Sequence, residues 1–228
     1  GHLRVSYRPY LGVIFLLLAF SSESIAQKKN WPTPAAGPSR SGDPEIIFTF
    51  DDGPHEKYTP QILEELRKRN IKAIFFWVGW RVQKDSIIGK ARREVIATAL
   101  EEGHVIANHT VKHLHLCSLS PKERNYEIDE NAAIYERLTG MPMILFRVPY
   151  GDYCRGLRKS LKERGLNHMH WDIDAREWSH NDSDQTTQII INKLRRLEGR
   201  AVILMHDTKI AAVRAFPRVL AWIDAENL

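Results

Sequence analysis

The chain has 228 residues, 43% hydrophobic and 27% charged, with a formal net charge of +5. That is an ordinary globular composition, long enough for one sizeable core and hardly for two. The basic excess is too small and scattered to argue for a nucleic-acid partner; it suits an anionic polymer or cell surface, or simply solubility.

In chain order, Arg4 and Arg8 precede the apolar run Leu11 to Phe20, and the small-residue site Ser24-Ile25-Ala26 follows. This is the order of a secretory signal peptide, with cleavage expected after Ala26 and a periplasmic or extracellular destination. The apolar run is too short to span a bilayer. Without residues 1–26 the balance is 31 basic against 27 acidic residues, or +4. Residues 27–44 are rich in Pro, Gly and Ser and read as a linker ahead of one domain over 45–228. Within it, predicted strands at 45–50, 73–78, 104–107, 144–148, 166–173 and 201–206 alternate with predicted helices at 59–69, 90–102, 121–138, 155–164, 184–198 and 212–224. The third helix opens on Ser120 as N-cap, Pro121 at the first position and Glu123 at the third. Gly103, Gly140, Gly165 and Gly199 fall just past helix ends, where left-handed caps are common. Such alternation implies βαβ units and a parallel sheet, either a small incomplete barrel or an open sheet. Cys117 and Cys154 are the only cysteines; in an exported protein they form a plausible disulfide, with two buried thiols as the alternative.

The chemistry-bearing residues gather at the C-terminal ends of predicted strands, where α/β folds place their sites. Ile46 to Phe50 delivers Asp51 and Asp52 to a Gly53-Pro54 turn, and strand alternation points the two carboxylates differently. Asn108-His109-Thr110-Val111-Lys112-His113 offers two imidazoles four residues apart, on one face if the segment turns helically. With a carboxylate they make a ligand set that leaves positions open, as a catalytic metal needs. Arg147-Val148-Pro149-Tyr150-Gly151 brings an Arg able to pair with a rim carboxylate and a turn able to aim a backbone N–H into a pocket. Asp174, Glu177, Trp171 and Trp178 cluster at the next strand end, and His206 closes the last strand, where it can serve as a general acid. Each block also has a structural reading: a helix cap, surface histidines, a salt bridge, core tryptophans.

Together the blocks Thr-Phe-Asp-Asp-Gly-Pro, His-Thr-x-x-His, Arg-x-Pro-Tyr-Gly, Asp-x-x-x-Trp and Leu-x-His resemble the polysaccharide deacetylase family, also called the NodB-homology or carbohydrate esterase family 4 domain, over residues 45–210. The resemblance implies a distorted, incomplete TIM-like (β/α) barrel with its site at the C-terminal strand ends. It implies Asp51 as general base; Asp52, His109 and His113 as ligands of a divalent metal, zinc above all, with cobalt or manganese possible; and Arg147 orienting Asp51. The Tyr150 N–H would stabilise the oxyanion, Asp174 would support His206 as the acid, and Trp178 and Leu204 would receive the acetyl methyl. The expected reaction is hydrolysis of N-acetyl groups on a β-linked glycan, peptidoglycan first and chitin-like oligomers second, with O-acetyl xylan as a further option. Two positions depart from the family pattern: Val148 replaces a Pro, and Glu177 stands where an Asp precedes Trp178. Two readings from other classes are a glycosidase using Asp51 with Asp174 or Glu177, which leaves the histidines idle, and a non-catalytic glycan-binding module. His55, His104, His168 and His170 read as cleft-rim or packing residues, and His115 as near enough to meet substrate.

Overall fold

A computed structural model describes residues 4–5 and 45–226; apart from Arg4 and Val5, the signal segment 1–26 and the linker 27–44 lie outside the described residues. The strands are β1 (Arg4–Val5), β2 (Glu45–Asp51), β3 (Ile74–Trp77), β4 (Val105–Asn108), β5 (Leu145–Phe146), β6 (Asn167–His168), β7 (Ile173–Asp174) and β8 (Arg200–His206). The helices are α1 (Tyr58–Lys68), α2 (Trp80–Gln83), α3 (Ile87–Glu101), α4 (Pro121–Thr139), α5 (Arg155–Glu163), α6 (Glu177–His180), α7 (Ser183–Leu194) and α8 (Ile210–Ala225). Seven strands pair in parallel in the order β6-β5-β4-β3-β2-β8-β7, with β1 added beside the start of β2. The sheet curls into the expected incomplete barrel. Its two edge strands, β6 and β7, are consecutive in the chain, so Met169–Asp172 crosses the open seam.

Strand alternation sorts the side chains. Phe48, Phe50, Phe75, Trp77, Ile203 and Met205 join the core beneath the helices, where Phe216 of α8 meets Phe48 and Phe50 edge-on at 5.1 and 5.2 Å. Ile74, Phe76, Ala107, Leu145 and Val202 form a second cluster on the other face of the sheet. Register pairs Thr49 with Leu204 and Asp51 with His206, so these four share the inner parity and stack toward the C-terminal rim.

The expected capping box at Ser120 and Glu123 is present, and Gly140 closes α4 at φ 69°. The single strand expected over 166–173 is instead two short ones. Between them Arg147, fully buried, donates from Nε to the Met169 carbonyl (3.0 Å) and from Nη2 to the His170 carbonyl (3.2 Å). Those acceptors serve a guanidinium rather than a neighbouring strand. The short helices α2 and α6 were not expected either; neither spans more than one helical turn. No helix among the described residues is long and apolar enough to cross a membrane.

Candidate active site and metal centre

Asp51 ends β2, buried, with its Oδ1 accepting from Arg147 Nη1 at 2.7 Å. The same Nη1 lies 2.8 Å from Thr49 Oγ1, whose own proton goes to the Ile203 carbonyl. The guanidinium also lies 4.1 Å over the Phe76 ring. Four acceptors and an aromatic face thus surround this buried cation, as a charge removed from water requires. The hydroxyl of Thr49, inside the Thr-Phe-Asp-Asp-Gly-Pro block, completes the Arg147 cradle.

Asp52, one residue on, turns away at φ 75°. Its Oδ1 is buried without a hydrogen-bond donor and faces the Nε2 atoms of His109 at 3.3 Å and His113 at 3.1 Å. His109 Nδ1 lies 2.7 Å from the Arg147 carbonyl, which only accepts, so the ring proton sits on Nδ1 and the Nε2 lone pair points at Asp52. Three lone-pair atoms thus converge, all within 4.8 Å of one another. Donor atoms around a four-coordinate ion at ~2.1 Å lie about 3.4 Å apart, so this set fits a divalent metal.

The histidines do not converge through a helical turn, as the spacing suggested. Thr110 and His113 adopt φ of 72° and 58°, and residues 109–115 form an irregular loop. Its props are side chains: Asn108 Oδ1 accepts from the Thr110 N–H (2.9 Å) and from Asn131 Nδ2 (2.9 Å), Glu127 Oε2 accepts from the Lys112 N–H (2.8 Å), and Thr110 Oγ1 from the His113 N–H (3.0 Å). With Tyr150 at φ 63°, four non-glycine residues of the site occupy the left-handed region. Each costs on the order of 1–3 kcal/mol, so the surrounding hydrogen bonds are needed to hold them.

His206 lies across the cleft, its Nε2 4.0 Å from Asp52 Oδ2. The carboxylate at its Nδ1 is Glu177, at 3.1 Å, not Asp174, the residue expected there. Glu177 is fully buried and also accepts the His206 backbone N–H. Asp174 instead turns to its own loop, accepting the Arg176 N–H (2.8 Å) and Trp178 Nε1 (3.1 Å). The reason lies in chain path: β7 ends at Asp174, Arg176 turns left-handed at φ 60°, and the next residue swings back over β8. Burial alone would lower the His206 imidazole, yet Glu177, with Asp52 and Asp51 behind it, raises it to about 9. Protonated His206 is then the predominant form up to about pH 9 and is lost above it. Glu177→Gln is expected to pull the alkaline limb of a kcat/KM–pH profile down by about 1–3 units, with metal content unchanged. An unmoved limb would refute this pairing as its cause.

The remaining expected residues are dispersed. Tyr150 is 60% exposed and Trp178 51%, whereas Leu204 is buried in β8. Trp178 is held by Asp174 at the cleft rim. Beneath the Gly53 turn sits Asp207, fully buried, which sequence reasoning passed over although it adjoins His206. Its Oδ2 accepts from Thr59 Oγ1 (2.6 Å) and Trp77 Nε1 (2.9 Å), and burial raises it to about 6. A Cβ on Gly53 would lie 2.3 Å from that oxygen, so only glycine fits the turn. His55 and His104 accept backbone N–H groups, as structural residues do. His168 accepts the Val148 N–H.

Comparison with known proteins places the chain in a family. Residues 39–169 match the polysaccharide deacetylase family. A Bacillus cereus peptidoglycan-N-acetylglucosamine deacetylase is 32% identical over 164 residues, 72% of this chain and 56% of that protein. The chain thus spans little more than half of that relative. A Sinorhizobium fredii chitooligosaccharide deacetylase is 30% identical over 171 residues, 74% of each chain. Among solved structures, peptidoglycan deacetylase PdaC of Bacillus subtilis superimposes with a TM-score of 0.70 at 29% identity, covering 79% of this chain and 83% of that one. The chain belongs to the polysaccharide deacetylase family.

Proposed function

We propose that this chain is an exported, metal-dependent deacetylase that hydrolyses N-acetyl groups on the amino sugars of a β-linked glycan, with peptidoglycan as the substrate and chitin-like oligomers as the second choice. The observation that carries the reading is the convergence of Asp52, His109 and His113 lone pairs beside Asp51, itself paired with buried Arg147. A glycosidase would need two opposed carboxylates and no such histidines. The named activities of the relatives support the acetylated-glycan class, and the leader over residues 1–26 supports export.

Asp52, His109 and His113 would hold the ion, and their one-carboxylate, two-imidazole set suits zinc. An ion held there would supply polarisation of the acetyl carbonyl and a water molecule acidic enough to attack at neutral pH. The chain's own groups do the rest. Asp51, fixed by Arg147 Nη1, accepts the proton of the attacking water. The Tyr150 N–H is offered to the oxyanion at the acetyl carbon. His206, charged through Glu177, donates its Nε2 proton to the amine, which would otherwise leave as a poor anion. Trp178 and Leu204 are assigned to the acetyl methyl.

The test measures acetate released from peptidoglycan, chitin oligomers and acetylxylan side by side, before and after chelation. Chelation is expected to abolish release, and zinc, cobalt or manganese to restore it. Undiminished release from thoroughly chelated enzyme would sink the reading.

A further inference from the structure

Two loops flank the cluster of Asp52, His109 and His113. Residues 109–115 follow β4 and carry His109 and His113; residues 147–154 follow β5 and carry Arg147 and Tyr150. Cys117 lies in the short turn Leu116–Ser118 directly after the first loop, and Cys154, the N-cap residue of α5, ends the second. The two are joined in a disulfide, Cα to Cα 5.9 Å. The bond ties the loops at their roots.

An aromatic stack adjoins the metal centre, its two rings within four residues of the bonded cysteines in the chain. The His115 ring is parallel to the Tyr150 ring, with centroids 3.8 Å apart and 11° between planes, and Tyr150 meets His113 edge-on at 4.6 Å. His115 and Tyr150 are both exposed, and Tyr150 is held there at a left-handed φ of 63°. Exposed aromatics in a strained pose beside a metal site have a ready use: they offer flat apolar surface with a polar edge, which suits the C–H face of a pyranose. A sugar gains little area from such a contact, so a wall fixed in advance binds it better than a mobile one. The metal ligands do not need the disulfide, because Asn108, Thr110 and Glu127 already prop their loop.

We infer that the Cys117–Cys154 disulfide is a positioning element for glycan binding: it holds the His115–Tyr150 stack as a fixed wall for a sugar unit adjoining the acetylated one. This rests on the deacetylase reading above. It assigns His115 to substrate contact and gives the disulfide an effect on apparent affinity separate from its effect on stability.

The experiment uses the full chain loaded with zinc, the tetramer of N-acetylglucosamine as substrate, and acetate release as readout. Cys117→Ser/Cys154→Ser and His115→Ala are each expected to raise KM about threefold to tenfold, the range an aromatic contact supplies. The kcat of His115→Ala should stay within about twofold, and zinc content should be full in both. Because both changes disable one wall, the triple variant should be no worse than the serine pair, and His115→Phe should keep the wild-type KM. An unmoved KM, additive effects, or loss of zinc from the serine pair would overturn the proposal; a merely structural bond lowers Tm and leaves KM alone. Should the serine pair fail to fold, equal KM values for His115→Ala and His115→Phe would still refute the stack. A wild-type enzyme that releases no acetate from any glycan brings down the deacetylase reading itself, a result distinct from normal turnover with unmoved KM.

Discussion

Asp51→Asn is expected to keep its metal while losing turnover by about 10²–10⁴-fold, the span a positioned general base supplies, and to lose stability because the buried Arg147 charge is left without its counter-ion. The amide keeps the shape of the carboxylate and can still meet Arg147, but it cannot accept a proton from water. Asp52 lies beside it with nearly the same chemistry and faces the imidazoles instead, so His109→Ala should show the opposite pattern: metal lost first, activity lost in consequence. Metal analysis alongside single-turnover acetate release separates the two. An Asp51→Asn enzyme with wild-type turnover would remove Asp51 from the mechanism.

Arg147→Met carries the largest expected effect on stability. The side chain is fully buried and serves Asp51, Thr49 and the carbonyls of Met169 and His170. Burial lowers the guanidinium pKa and Asp51 opposes that fall, so neither partner is well placed without the other. Methionine fills much of the volume but leaves a buried carboxylate unpaired, a loss of about 3–5 kcal/mol. At about 2–4 °C per kcal/mol for a domain of this size, Tm should fall by roughly 6–20 °C, read by circular dichroism. A shift of only a degree or two would show that water reaches Asp51 and that the pair is not sealed.

The strand ends and the residues they carry were legible in the sequence because both depend on local pattern. An apolar run stopped by Gly53-Pro54 announces a strand end whatever surrounds it, and the family blocks named Asp52, His109 and His113, whose side chains converge. What escaped depends on distant demand. The break in the strand expected over 166–173 follows from Arg147 taking two of its carbonyls, a requirement set some twenty residues earlier in the chain. The choice of Glu177 over Asp174 turns on one left-handed residue, Arg176. The histidine loop owes its shape to Asn131 and Glu127 on α4, which no spacing of His109 and His113 could reveal. Asp207 went unnoticed because its task is to fill the space under a glycine.

The crossing Met169–Asp172 bears on how such an enzyme can diversify. Other loops at the C-terminal rim can lengthen or shorten to reshape the cleft, each hanging from a strand that stays paired. This crossing has no such freedom, because the guanidinium that grips it also grips Asp51. An inserted residue there would be transmitted straight to Asp51. New glycan preferences should therefore arise from every rim loop except this one, which makes it the poorest target for a loop-randomisation library.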